Sequence, residues 1–257
     1  MTTLDTDDKL ASSNKPAKKS EGYASPTPTP KKRTLILYTM NEIDGIMAIF
    51  DKIPINLFDQ FFVVDNHSTD GTVEYLQSRG VKVIQQKISG RGAALKEGLD
   101  YAIGDIIINL SSDGNEDPQT IPKILEKLEE GYEMVTASRF LPESKVDTSD
   151  DSYKIRVFGN KLCSFLVSLL WGCKVTDTTN GLRGFTKNCL KLTKLDYYAY
   201  EENFQLAIRC AKLGLPITEV PTEEKVRAGG VIKAKTSRVF FSLPVVLLKE
   251  ILIGKRF

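Results

Sequence analysis

Runs of uninterrupted apolar residues, rather than alternating ones, mark the first half of the chain. "RTLILYT", "QFFVVD", "VKVIQQK", "DIIINL" and "YEMVTAS" each read as a strand buried on both faces. Between them, apolar residues fall at helical spacing. "IDGIMAIFDKIPINLF" predicts a helix as far as Pro54, and another starts near Thr69 or Asp70. "GRGAALKEGLDYAIG" predicts a third, and "DPQTIPKILEKLEEG" a fourth, with Pro near its start and Gly131 at its end. This alternation predicts an α/β fold with a mostly parallel central sheet covered on both faces. Ligands of such sheets bind at the carboxyl ends of strands. Polar clusters at residues 40–42, 65–69 and 111–115 all fall at such ends.

After Arg139 the pattern changes. A polar loop, "LPESKVDTSDDSY", leads to an apolar helix, "VFGNKLCSFLVSLLWG". A loop, "CKVTDTTNGLRGF", is followed by a helix, "EENFQLAIRCAKLG", and a strand, "PITEVPTEE". The final segment, "RVFFSLPVVLLKEILIGKRF", is apolar with basic residues at both ends. Pro244 and Lys249-Glu250 interrupt it, and a membrane span needs about 20 apolar residues. It reads either as a membrane-interfacial helix, with Arg238, Lys249, Lys255 and Arg256 toward anionic lipid, or as a helix packed on the domain. At the other end, residues 1–32 are rich in Ser, Thr, Pro and Lys and read as a disordered tail. The expected organisation is therefore tail 1–32, main domain 33–237 and C-terminal helix 238–257.

Composition narrows the chemistry. The 257 residues are 41% hydrophobic and 26% charged, as in a soluble globular protein with ample core. A net charge of +2 gives no reason to expect nucleic acid as a partner. The single histidine, His67, excludes zinc sites that need two or more histidines. Four cysteines without CxxC spacing read as reduced thiols in a cytosolic protein.

Three clusters carry candidate chemistry. Asp65, directly after a buried strand, is placed to accept hydrogen bonds from a base or ribose, assisted by Asn66 and Ser68; the alternative is a helix-capping turn. Gly90, Arg91 and Gly92 open a helix, where glycines let backbone approach a phosphate and Arg91 or Lys96 adds charge; the alternative is a plain loop. In "SSDGNEDP", Asp113 and Asn115 stand two apart around Gly114, so in an extended segment they share a face. Two oxygens there suit Mg²⁺ or Mn²⁺, hard ions held by one or two carboxylates plus substrate phosphates. Asp117 reads as a helix cap before Pro118.

Taken in order, "MNE", "VVDNHSTDGT", "GRGAALKEGL", "GDIIINLSSDGNEDP", "VTASRF" and "TDTTNGLRGF" resemble a family 2 glycosyltransferase with the GT-A fold, in its dolichyl-phosphate mannose synthase-like branch. The resemblance runs over residues 34–235. It implies a nucleotide-diphosphate-sugar donor, with Asn41 and Glu42 beside the nucleotide and Asp65 on base or ribose. Asn66 and His67 stand where the pattern has Asp and Gly. "SSDGNEDP" takes the place of a DxD element. Counting back from Pro118 sets Ser112, Asp113 and Gly114 opposite D-A-D. Relatives with "SPDGNS" instead make Asp113-Gly114-Asn115 the metal and diphosphate element, the preferred register. "SRF" and "TDTTNGLRGF" imply that Arg139 and Arg183 face phosphates of donor or acceptor, the alternative being surface ion pairing, and "VRAGGVIKAK" that Arg227, Lys233 and Lys235 close over the donor diphosphate.

Inverting transfer to a hydroxyl needs a general base, for which Glu201 or Glu202 in "YEENF" is the candidate; the alternative is acidity complementing a helix N-terminus. A phosphate acceptor needs none. The expected activity is hexose transfer from GDP-mannose or a UDP-sugar to a polyprenyl or dolichyl phosphate; the alternatives are transfer to a hydroxyl of a glycan or cell-surface polysaccharide precursor, or a non-catalytic nucleotide-sugar-binding protein, given Asn66, His67 and Asn115 in place of the pattern's residues. Peripheral attachment at the cytoplasmic face of a membrane is expected with it.

Overall fold

The computed structural model describes residues 30–147, 151–228 and 236–257 of the protein. The tail expected over residues 1–32 lies outside them up to residue 29, as do Lys233 and Lys235. Among the described residues, β1 (Arg33–Thr39), β2 (Gln60–Asp65), β3 (Lys82–Gln85), β4 (Ile106–Ser111), β5 (Met134–Ser138), β7 (Arg183–Thr186) and β8 (Ile217–Pro221) form one sheet. Its order is β3-β2-β1-β4-β7-β5-β8. A small pair, β6 (Lys145–Val146) with β9 (Glu223–Glu224), stands apart. All pairings in the large sheet are parallel except those of β7, which runs antiparallel between β4 and β5.

Burial on both faces explains the unalternating strands. Leu35 and Leu37 of β1 and Val63 of β2 point to one layer, formed with α1 (Ile43–Ile49), α2 (Thr72–Ser78) and α4 (Ile121–Glu129). Ile36, Tyr38, Phe62 and Val64 point to the other. There they meet α3 (Arg91–Tyr101), α5 (Asp151–Trp171), α6 (Lys187–Thr193), α7 (Glu201–Leu213) and α8 (Thr236–Ile253). All four cysteines are free thiols, and Cys189 and Cys210 meet at 3.4 Å inside this layer.

Four expectations change. The first helix ends at Ile49 and gives way to single 3-10 turns at Phe50–Lys52 and Ile55–Leu57, instead of continuing to Pro54. α2 begins at Thr72, because Gly71, in the left-handed region at φ 93°, precedes it. The stretch read as a loop through residue 185 holds β7, and α6 follows it. β7 is only four residues long and contains Arg and Gly, so nothing in its pattern signals a central strand. Gly184 is needed there: a Cβ would come within 2.6 Å of Ile124, Ile108 and Leu128 side-chain atoms, so α4 could not lie so close to the sheet.

The C-terminal helix starts at Thr236 and is built into the domain. Leu243 and Val246 join the core, and Glu250 is fully buried. Its carboxylate accepts from Arg209 Nε at 3.0 Å, Lys212 Nζ at 2.6 Å and Gln205 Nε2 at 2.9 Å, all on α7. The side chain of Arg238 lies outside the described residues. Among those described, no helix is long and apolar enough to cross a membrane.

Candidate active site

The carboxyl ends of β1, β2 and β4, the start of α3 and the residue before α7 enclose a pocket of about 220 Å³. Of the residues singled out by sequence, Glu42, Asn66, Gly90, Arg91, Asp113 and Arg227 line it. The ends of β1, β2 and β4 deliver Glu42, Asn66 and Asp113, the start of α3 delivers Gly90 and Arg91, and the segment after β9 delivers Arg227.

Asn41 and Asp65 hold the walls together behind this surface. Asn41 takes a positive φ of 51°, and its Oδ1 accepts the Thr69 N–H at 2.7 Å, tying the β1 turn to the β2 turn. Asp65 is fully buried and accepts from the Ser68 N–H at 2.9 Å and from the Ser68 hydroxyl. Both its oxygens are thus engaged by Ser68 within its own turn, and Asp65 caps no helix, since α2 follows Gly71 without a side-chain cap. Asn66 does face the pocket, donating to Ser89 Oγ at 2.9 Å.

Arg227 crosses the pocket from the segment after β9. Its guanidinium pairs with Glu42 and lies 3.5 Å from Asp113 Oδ2. Two backbone bonds carry it there: Lys225 N–H donates to the Asn115 carbonyl at 3.0 Å, and Ala228 N–H to the Asp113 carbonyl at 3.3 Å. Asn115 donates through Nδ2 to Glu224 Oε1 at 3.1 Å, whereas its buried Oδ1 has no hydrogen-bond partner. An orphaned oxygen two residues from a half-buried carboxylate is a donor set that fits a hard divalent cation completed by ligand phosphates. Asp113 and Asn115 are the residues that would hold it.

Arg91 closes the opposite wall. Its Nη2 donates to the Gly181 carbonyl at 2.9 Å, and its Nε stands 3.6 Å from Glu202 Oε1. With the Asn203 amide turned to suit both neighbours, its nitrogen donates to Glu202 Oε1 at 3.2 Å and its oxygen accepts from Arg91 Nη1 at 3.1 Å. Glu202 therefore sits beneath Arg91 and does not line the pocket. Burial pushes its carboxyl up to about 7, against the pull of Arg91 and Arg183. Glu116 is likewise pushed up to about 7 by burial, with Arg91 opposing and Asp113 adding to the rise. Gly90 lines the pocket, and its missing Cβ also makes room for the Tyr198 carbonyl, which a Cβ would meet at 2.1 Å.

Three expected phosphate contacts are engaged elsewhere. Arg183 is fully buried and donates to the carbonyls of Asn180, Asn203 and Thr178 at 2.7–2.8 Å. Burial pulls its pKa down to about 10, and it pins the loop before β7 to the start of α7. Arg139 makes a bidentate pair with Asp177 at 2.6 and 2.9 Å and also donates to Thr179, tying the end of β5 to that loop. Lys96 leaves the pocket to lie 3.9 Å from the centre of the Tyr198 ring. The sequence does not reveal whether a cation faces carbonyls, a carboxylate or solvent.

The structure also adds residues. Tyr200 lines the pocket, and its hydroxyl is pushed above its usual value by burial, with Arg91, Asp113, Arg227 and Glu42 all within electrostatic reach. Glu116 and Glu224 flank the Asp113 turn through an antiparallel bridge between them. Glu116 lies within the quoted "SSDGNEDP" and Tyr200 opens the quoted "YEENF", so position gave a signal that residue type did not. Two guanidinium groups facing a carboxylate–amide turn suit an anionic ligand bound together with a cation.

Comparison with known proteins shows the family. The profile of Glycosyl transferase family 2 matches residues 34–192. A glycosyltransferase of Haloferax volcanii, AglJ, is 27% identical over 83% of this chain and 76% of its own. A dolichyl-phosphate hexose transferase of the same organism is 27% identical over 76% of this chain and 83% of its own. An undecaprenyl-phosphate mannosyltransferase of Micrococcus luteus is 26% identical over 77% and 88%. Glucosyl-3-phosphoglycerate synthase from Mycobacterium tuberculosis, solved with Mn²⁺, UDP and phosphoglyceric acid, superposes with a TM-score of 0.68 at 21% identity, over 86% of this chain and 78% of its own, and shares the fold. The chain has the GT-A fold and belongs to glycosyl transferase family 2, as a glycosyltransferase consistent with the dolichyl-phosphate mannose synthase-like branch.

Proposed function

We propose that the protein transfers a hexose, with inversion, from a nucleotide-diphosphate sugar such as GDP-mannose or a UDP-sugar to a polyprenyl or dolichyl phosphate or a related lipid-linked acceptor. The observation that carries this reading is Arg227 lying between the Glu42 and Asp113 carboxylates at the pocket mouth, opposite Arg91. That arrangement matches a diphosphate with its metal, and the names of the relatives support a lipid-phosphate acceptor.

In this reading Asp113 and Asn115 would hold Mg²⁺ or Mn²⁺, and the ion would supply positive charge to the donor diphosphate. Arg227 supplies a second positive charge to the leaving group, and Arg91 a third from the opposite wall. Asn66 and Tyr200 bound the space left for nucleoside and hexose. The acceptor phosphate is already an oxyanion and attacks the anomeric carbon without a base. Glu202, the candidate base for a glycan hydroxyl, is buried behind Arg91, and the pocket carboxylates Glu42 and Asp113 are engaged by Arg227, which supports the acceptor that needs no base. The enzyme works at a membrane surface, where its acceptor resides.

Thermal shift with GDP-, UDP- and TDP-sugars, with and without Mn²⁺, tests the donor, because a ligand of the folded state raises the melting temperature. A metal-dependent shift with one nucleotide is expected, followed by transfer of labelled hexose from it to dolichyl phosphate. No shift with any nucleotide would sink the reading.

A further inference from the structure

We propose that Gln86 and Asn66 read the base of the donor through two amide oxygens, and that this pair selects guanine over uracil; the inference rests on the nucleotide-sugar reading of the pocket and names its base. Both residues line the pocket. They sit one step beyond the last paired residues of two strands. Asp65 stands opposite Gln85 in the parallel β2–β3 register, and the ladder runs on as the Gln86 N–H donates to the Asp65 carbonyl at 2.8 Å. Two residues earlier, Val64 and Ile84 are paired, and both enter the core layer on the α3 side. The period of two along a strand therefore turns Asn66 and Gln86 to that same side, and neighbouring strands lie about 4.8 Å apart.

Each amide is held by its nitrogen. Gln86 is only 4% exposed, and its Nε2 donates to the Gly90 carbonyl at 2.7 Å and to the Ile88 carbonyl. Asn66 Nδ2 donates to Ser89 Oγ at 2.9 Å and to the Met40 thioether sulfur at 3.2 Å. Carbonyl oxygens and a thioether sulfur accept and cannot donate, so neither amide turns over without losing these bonds. Ile88, Ser89 and Gly90 are consecutive, so one short loop at the start of α3 orients both side chains. Gln86 Oε1 and Asn66 Oδ1 are left as the free ends, and among the described residues neither accepts a hydrogen bond.

Two adjacent acceptors select the base. Guanine presents two neighbouring donors on one edge, N1–H and the N2 amine. Uracil and thymine present a single N3–H between two carbonyl oxygens. Cytosine and adenine present a single amine beside a ring nitrogen that accepts. Guanine alone pairs both amide oxygens; every other base leaves one of them unpaired or facing another acceptor. A site that reads a hydrogen-bonding group rejects the analogue lacking it far more strongly than an apolar contact does.

Calorimetry of the full chain with GDP, inosine diphosphate and UDP, each with Mn²⁺, tests this. Inosine diphosphate keeps N1–H and lacks only the N2 amine, so it removes one of the two donors. GDP is expected to bind about tenfold more tightly than inosine diphosphate and about a hundredfold more tightly than UDP. Asn66→Ala deletes one amide oxygen at a partly exposed position and should lower the GDP-to-UDP ratio about tenfold while the melting temperature stays near wild type. Gln86→Ala should lower that ratio as well; it also frees the loop at residues 88–90, so the ratio and not the affinity is its readout. UDP binding as tightly as GDP would overturn the proposal and leave the transferase reading in place for a UDP-sugar. Equal affinities for GDP and inosine diphosphate would also overturn it, as would a GDP-to-UDP ratio unchanged in both variants. Binding of none of the three nucleotides would overturn this proposal and the nucleotide-sugar reading together.

Discussion

Arg91 Nε and Glu202 Oε1 lie 3.6 Å apart beneath the pocket, with side chains 11% and 1% exposed. The carboxylate is thus a support for the guanidinium that faces the ligand, and its own oxygens do not reach the reacting space. Glu202→Gln should therefore lower transfer to a lipid phosphate by about tenfold or less, appearing mainly as weaker donor affinity. Loss of a true general base typically costs about 10²- to 10⁴-fold in turnover. Steady-state kinetics that separate kcat from KM distinguish the two, and a fall of the larger kind in kcat alone would restore Glu202 to the chemistry.

The same burial predicts a pH signature. Glu116 and Glu202 both rise from 4.5 to about 7 in the folded state, so the folded protein holds more protons than the unfolded chain between those values. Their contribution to stability is complete below pH 4.5 and is lost as the pH rises through 7. The paired variant Glu116→Gln with Glu202→Gln removes both titrations. Its melting temperature relative to wild type should be lowest near pH 4.5 and should climb toward pH 8. A constant difference across that range would show that neither carboxyl titrates there.

Arg227 occupies the carboxylates that a metal would approach. Replacing it by Met removes a competing positive charge and at the same time a contact to the diphosphate. Arg227→Met should therefore bind Mn²⁺ several-fold more tightly without a donor, yet bind the nucleotide sugar about tenfold or more weakly. Calorimetry with each ligand separately reads both effects. A variant that loses affinity for metal and donor alike would mean that Arg227 organises the site instead of competing for it.

What the sequence revealed and what it concealed follow the same physical line. β1, β2 and β4 were legible because burial on both faces leaves a continuous apolar run, and their polar ends marked the pocket with Glu42, Asn66 and Asp113. β7 was not legible, since "RGFT" owes its central place to the fit of Gly184 under α4 and to the bonds that Arg183 makes with three carbonyls. Arg139 and Arg183 sat in motifs that suggested phosphate contacts, but Arg139 is taken by Asp177, which lies in another loop, and Arg183 turns inward to the carbonyls of Thr178 and Asn180 in its own loop and of Asn203 on α7. Glu116 and Tyr200 escaped because an acid in a turn and a tyrosine before a helix are common; only burial and position single them out.

Asn115 offers a direct test of the metal element. Asn115→Asp puts a carboxylate where the orphaned Oδ1 lies, but turns a donor to Glu224 into a like charge. Without metal this variant should melt lower than wild type, by the order of 1–3 kcal/mol in stability for a buried group that loses its hydrogen bond. Mn²⁺ should restore it and bind more tightly than to wild type. Asp113→Ala should show the reverse pattern, a wild-type melting temperature with no metal-dependent donor shift. Equal Mn²⁺ affinity in all three proteins would place the metal elsewhere.

Glu250 decides whether the C-terminal helix is part of the fold. Its carboxylate is fully buried and neutralises Arg209 and Lys212, whose side chains are 0% and 2% exposed. Glu250→Ala leaves two buried cations short of a partner, a change that typically costs about 3–5 kcal/mol. Glu250→Gln keeps hydrogen-bond acceptors and should cost less. Urea unfolding should show both losses as one cooperative transition at lower midpoint, because α8 shares the core of α7. A separate early transition in Glu250→Ala, with the pocket still binding nucleotide, would mean that α8 is an independent appendage and that the domain folds without it.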